Sequence, residues 1–304
     1  MKRFMIFAAA ALSLLVACNK AVDSGVTVET NYDGDEIVIG VGSTFDAILD
    51  TRATAITPSS NLPSTLYWGG TGSAAGNWNT TSSSVTWTGS GSKTTSIATG
   101  KYVNSSSPAT VTYYVTNLGA SSGTQPMSIG SPTILTVANN NTDVLCGKVS
   151  SSSASPSLAL EHIFCRTGSF SVSPISGYYL ENVVWQIKGK STSGIQGTAG
   201  TYNMTTGDWA TATTKMNSLT TVTNSSDLYL IPGDYTLSLS FNLCKGEGNA
   251  KVSKSYSKTA DVTFPKGKIC NISAGSQGDD FAAGITITVS VQDWVEQNFT
   301  PEFS

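Results

Sequence analysis

Histidine is all but missing from this chain: one residue, His162, in 304. A site built from several histidines is therefore excluded, and no H-E-x-x-H pattern occurs. Charge is scarce as well, at 12% of residues with a net of −3, about half the usual charged share. No basic block exists, which argues against nucleic-acid binding. A helical hydrophobic period is nearly absent too, the one weak helical candidate being 208–216.

Serine and threonine, by contrast, fill more than a quarter of the chain, and hydrophobic residues hold at 39%. A disordered chain would lack that apolar mass and carry more charge. Ser/Thr-rich, Gly-rich, weakly charged sequence suits β-strands with one wet face, joined by many turns.

The first residues read as an export signal. Met1-Lys2-Arg3 is a short basic head, and 4–16 is apolar apart from Ser13. That run is shorter than the roughly 20 residues a membrane-spanning helix needs. It ends in Leu15-Val16-Ala17-Cys18, which resembles the bacterial lipobox, whose cysteine takes a diacylglycerol and becomes the mature N-terminus. Cys18 is the expected lipid attachment, after a signal peptide at 1–17.

Four cysteines remain: Cys146, Cys165, Cys244 and Cys270. An even number in an exported protein permits two disulfides in three connectivities, and free thiols are the other reading. Their spacing matches no zinc pattern. Each lies on an expected strand, with Cys165 and Cys244 on the face opposite the apolar one.

Period-two alternation dominates. Leu158, Leu160, His162 and Phe164 share one strand face. Tyr235, Leu237, Leu239, Phe241 and Leu243 share another, and Ile285, Ile287, Val289 and Val291 repeat the pattern ahead of Trp294. Further strands are expected at 37–41, 85–88, 111–115, 134–137, 183–187, 228–231 and 262–264. Turn-rich runs separate them at 69–76, 150–157 and 246–249. Strands at this spacing predict antiparallel sandwiches.

His162 is expected as a satisfied core histidine rather than a base or ligand. The acidic groups Asp33-x-Asp35-Glu36 and Asp279-Asp280 are read as solvated turns, since neither has a calcium-loop spacing. Trp68, Trp78 and Trp87 could stack on sugars, but core or edge packing is the better reading.

Several segments together resemble the fimbrillin family, the subunits of type V pili of gut and oral Gram-negative anaerobes. Leu158-x-Leu160-x-His162-x-Phe164-x-Arg166 resembles its L-x-H-x-F-A-[RK] strand, with Cys165 where alanine is usual. The segment 227–236, with Pro232-Gly233 and Tyr235, resembles its "lyliPG-x-Yt" turn. Phe264-x-x-Gly267-Lys268 is similar to its F-x-x-G-K motif, 285–294 to its closing strand, and 64–69 also fits. The resemblance runs from about residue 36 to the end.

That resemblance implies an all-β fold: two transthyretin-like antiparallel β-sandwich domains in series after the lipoprotein signal peptide. Residues 18–35 would form a tether, 36–168 the N-terminal domain and 169–304 the C-terminal one. It also implies a structural protein, not an enzyme, with no cofactor. The precursor would reach the outer membrane by the lipid on Cys18, and a trypsin-like protease would then cut after an arginine. Arg52 is the one arginine between residues 4 and 165, so the cut is expected between Arg52 and Ala53. The removable first strand would comprise Ile37, Val38, Ile39 and Val41, and a strand from another fimbrillin subunit would fill the vacated groove. Ile285, Ile287, Val289, Val291 and Trp294 form either that donor strand or the closing strand of the second domain. The expected partners are other subunits, the outer membrane, the protease, and host or microbial surface glycans or proteins; the expected location is the outer membrane and then the fimbrium. Stalk, tip and accessory roles all fit. The alternative is a non-polymerising surface lipoprotein that binds glycan or host protein. A hydrolase would need a cleft of converging carboxylates, which nothing in the sequence suggests.

Overall fold

The computed structural model describes residues 34–43, 62–72, 76–77, 81–88, 93–103, 108–118, 127–128, 134–138, 143–191, 194–223, 228–277 and 284–293. All of these belong to one compact unit, Tyr32–Ser304.

In chain order the strands are β1 (Glu36–Ser43), β2 (Thr65–Gly72), β3 (Gly76–Asn77), β4 (Thr81–Ser84), β5 (Lys93–Tyr102), β6 (Val111–Thr116) and β7 (Met127–Ser128). Next come β8 (Ile134–Val137), β9 (Leu145–Ser151), β10 (Ser157–His162), β11 (Cys165–Ser173), β12 (Tyr179–Gly189) and β13 (Gly197–Asn203). The last are β14 (Asp208–Lys215), β15 (Thr220–Val222), β16 (Tyr229–Leu230), β17 (Gly233–Lys245), β18 (Val252–Phe264), β19 (Lys268–Gln277) and β20 (Gly284–Asp293). The one helical element among the described residues is a single 3-10 turn at Gly248–Ala250, so the expected all-β class holds.

The largest sheet runs β3-β2-β6-β9-β10-β1-β5, with β4 also on β2. Its two ends share one core, in which Leu66, Trp68, Tyr113 and Val115 meet Ile39, Val41, Ile97 and Leu160. A sheet whose ends share a core must fold over, and the fold falls where β9 and β10 pair at only two positions, Cys146 opposite Glu161 and Leu145 opposite His162. Gly147 sits at that bend. A Cβ there would come within 2.5 Å of the Ala159 carbonyl oxygen, so glycine alone lets the two backbones cross so closely. The result is a sandwich whose smaller layer is β10-β1-β5.

A second sandwich packs β16-β11-β19-β20 on β15-β12-β17-β18. Its core takes the alternate residues Tyr235, Leu237, Leu239, Phe241 and Leu243 from β17, with Phe170, Trp185 and Ile272 opposite. A fourth sheet, β14-β13-β8-β7, joins early and late sequence. β8 pairs with β13, setting Leu135 opposite Tyr202. It helps enclose a third core, where Leu135, Tyr114 and Cys146 meet Phe164, Trp209 and Tyr229. The domain boundary expected near residue 168 thus falls on β11, where all three cores draw on neighbouring residues.

Several local expectations are corrected. Residues 208–215 form a strand, not a helix: the Thr-rich run is β-branched and finds a ladder on β13. The expected strand at 85–88 contributes only the isolated Thr88–Thr94 bridge, while the strand proper is 81–84. The expected turn at 69–76 is strand up to Gly72, because Gly69 and Gly70 lie opposite Tyr114 and Tyr113 and need no side chain of their own there. Nor are the ladders all antiparallel: β1 lies parallel to β10, and β11 parallel to β19.

Candidate functional site

The site is the seat of β1. Alternation along Glu36–Ser43 puts Ile37, Ile39 and Val41 on one face, and all three are buried, Ile39 completely. Each such burial contributes about 1.5–3 kcal/mol. Val38 lies on the other face and is half-buried.

Both edges of β1 are paired. On one side Ile39 lies opposite Ile97 and Val41 opposite Thr95, antiparallel, in β5. On the other, Gly40 lies opposite Ser157 and Val41 opposite Leu158, parallel, in β10. The Val38 and Gly40 amides donate to the Ala154 and Pro156 carbonyls, both at 2.8 Å. Within the large sheet β5 pairs with β1 alone among the named strands. Withdrawing β1 would therefore remove the middle of the three-stranded layer, expose the edge of β10, and leave β5 without a ladder.

At the far end of the chain, β20 pairs with β19 along its whole length, from Gly284 opposite Gln277 to Asp293 opposite Lys268. Ile287 and Val289 pack on the second sandwich's core, while Val291 is exposed. β20 is the edge strand of its sheet; nothing is described of the Ile285 side chain, and Trp294 lies outside the described residues. Cys18, Arg52 and Ala53 also lie outside them. By sequence alone, Arg52 falls between the end of β1 and the start of β2, so a cut there separates β1 from everything after it.

The segment 158–166 proves to be the joint of the molecule. Leu158 and Leu160 enter the first core, Phe164 the intervening one and Cys165 that of the second sandwich. The expected core histidine is found: His162 is buried, with Nδ1 2.8 Å from Asp143 Oδ2. Arg166 is buried to 1% exposure. Cys165 was expected on the polar face and is instead in the core, because β11 starts between two cores and has no wet face there.

The turn ahead of β17 is closed by Tyr235, whose hydroxyl donates to the Ile231 carbonyl at 2.7 Å and accepts from the Gly197 amide at 3.1 Å. Burial pushes that phenol above its ordinary range. The Gly267 amide donates to the Phe164 carbonyl at 2.8 Å from a left-handed backbone, φ +65°, which is why the F-x-x-G-K segment needs its glycine.

All four later cysteines are buried, free thiols. Trp68 is in the first core and Trp87 packs against it, its indole N–H donating to the Pro63 carbonyl at 2.9 Å. Packing thus accounts for both, and Trp78 lies outside the described side chains. Among the described residues no group of three or more His, Cys, Asp or Glu could hold a metal ion. Sequence reading missed Asp143, Thr99, Ile97 and Gly147; none stands in a motif, and their roles depend on strands distant in sequence.

No family model matches the chain, and no curated protein matches it. Solved structures do. A fimbrial protein from Bacteroides vulgatus aligns over 84% of this chain and 99% of its own, at a TM-score of 0.52 and 13% identity. A putative cell adhesion protein from Bacteroides uniformis aligns over 86% and 98%, at 0.47 and 12%. The fimbrial anchor protein Mfa2 from Porphyromonas gingivalis aligns over 84% and 98%, at 0.29 and 9%. Across most of its length, the chain has the fold of the Bacteroides vulgatus fimbrial protein.

Proposed function

We propose that this chain is a structural subunit of a type V pilus, made of two sandwich domains in series and assembled by strand exchange. The lipid on Cys18 would hold the precursor at the outer membrane. A cut after Arg52 would then release β1, and an extended segment from another subunit would take its place. One observation supports this above the others: β1 is the central strand of its layer, paired on both edges, with three side chains buried. A strand so seated leaves a slot of defined register, in which backbone groups give affinity and the pockets of Ile37, Ile39 and Val41 select alternating apolar side chains.

The test is the N-terminus of the protein taken from its own cells. Chains beginning at Ala53, gathered in polymers, support the proposal. Finding only lipidated chains that begin at Cys18 would overturn it.

A second reading has its own support. β20 is paired along its whole length with β19. A surface lipoprotein that keeps β1 and binds glycan or host protein fits that. Retention of a glycan or host protein by uncut monomers, with no polymer formed after trypsin treatment, favours this reading.

A further inference from the structure

The four buried thiols are not equivalent. Cys146 Sγ lies 3.6 Å from the Thr116 hydroxyl, and Cys244 Sγ lies 3.3 Å from the Ser253 hydroxyl. Cys165 and Cys270 lie against each other, sulfur to sulfur, at 3.6 Å. They sit on adjacent parallel strands: Thr167 is opposite Cys270, so Cys165 is two residues back on the same face. A disulfide needs its sulfurs at about 2.05 Å, and closing the remainder calls for small rotations of both side chains.

We infer that Cys165 and Cys270 are a redox-closable pair, oxidised to a disulfide that staples β11 to β19. The inference stands apart from the pilus reading. Two features of the site suit a staple. β11 is irregular at this end: its ladder with β16 covers Cys165 and Arg166 and closes with the Thr167 amide on the Leu228 carbonyl, and its register against β19 shifts between Thr167 and Phe170. The two cysteines are also 105 residues apart, and a cross-link closing so long a loop restricts the unfolded chain most.

The chemistry is thiol–disulfide exchange with a protein or glutathione disulfide. One cysteine, as thiolate, attacks the donor disulfide and expels a donor thiol. The second cysteine then attacks the mixed disulfide, forming Sγ–Sγ and expelling the other donor thiol. Two protons leave the cysteines, and the donor is reduced by two electrons. Timing follows from burial. Both residues are fully enclosed among Tyr235, Leu230, Phe170 and Ile272. The hydrogen bond with Cys270, and then burial, hold the Cys165 thiol far above its ordinary range. Exchange therefore belongs to folding, before the core closes, and the bond once made is shielded from reductants.

The full chain, unfolded in urea, is refolded in a glutathione redox buffer, alkylated, and mapped without reduction by mass spectrometry. The expected product is lighter by two hydrogens, carries one cross-linked peptide joining residues 165 and 270, and unfolds at higher urea than the reduced chain. The Cys146→Ser, Cys244→Ser double variant keeps both the cross-link and the shift, and it carries the test if Cys165→Ser fails to fold. Refolded chains in which Cys146, Cys165, Cys244 and Cys270 all stay free thiols, or a cross-link between other cysteines, would overturn the assignment.

Discussion

The Thr99 hydroxyl donates to the Ile37 carbonyl at 2.8 Å, across 62 residues of sequence, with both residues buried. The bond fills a gap in the ladder. Between the pairs Glu36–Tyr102 and Val38–Ala98 the register slips, so that Ile37 alone faces three residues of β5. Gly100, at φ +64°, turns its amide to Glu36 Oε1 at 2.9 Å, and the Lys101 amide returns to Thr99 Oγ1 at 3.1 Å. This bulge fixes where β1 sits along β5.

Replacing Thr99 by valine keeps the shape and removes the donor, leaving a buried carbonyl short of a partner. The expected cost is about 1–3 kcal/mol. Urea unfolding would show it as a lower midpoint with an unchanged slope.

Because β5 pairs with no other named strand and has only the Thr88–Thr94 bridge besides among the described residues, its amides beyond Thr94 should depend on β1. In the intact chain, hydrogen exchange along Lys93–Tyr102 should be slow; after proteolytic removal of β1 it should approach the rate of an unfolded chain. The β17–β18 hairpin, paired over 13 positions, serves as the internal control and should not change. An Ile39→Ala variant, with an expected loss of about 2–5 kcal/mol, should show the same β5 exposure in milder denaturant.

Gly147→Val would drive a side chain into the Ala159 carbonyl and the Leu158 side chain, at 2.5 and 2.7 Å from the Cβ alone. Backbone gives way poorly, so the bend between β9 and β10 should open. Loss of about 1–3 kcal/mol is expected, in line with overpacking. Faster exchange of the β10 amides, with β12 and β17 unaffected, would locate the damage.

Alkali should unfold the protein partly through Tyr235. Its phenol is raised above the unfolded value of 10.0 by burial, so the unfolded chain gives up this proton first. The stabilisation is complete below about pH 10 and is lost as pH climbs toward the folded value. Urea midpoints measured from neutral pH upward should fall beyond that point. Tyr235→Phe should flatten the decline while lowering the neutral midpoint, because the bond to Ile231 is gone.

Alternation made most of the fold legible. The β17 run from Tyr235 to Leu243 has a wet face and a dry one, and period two marks such strands directly. The reading failed where that contrast vanishes. β6 has Tyr113 and Val115 in one core and Tyr114 in another, and Cys165 begins a strand enclosed on both sides. β14 carries as many threonines as apolar residues, and two of the apolar three are alanine, so neither period stands out until β13 offers it a ladder.

The candidate site divides the same way. The sequence by itself determined that β1 is a strand, which of its side chains are apolar, and that Arg52 follows it. These are local properties, set by side-chain chemistry and chain order. Only the tertiary structure decided that β1 lies between β5 and β10, that β5 depends on it, and that Cys165 meets Cys270. Each of those is a choice of partner among distant strands of similar pattern. That choice is made by register, by the bulge at Thr99, by the close crossing at Gly147 and by the shared cores, none of which a single strand's sequence contains.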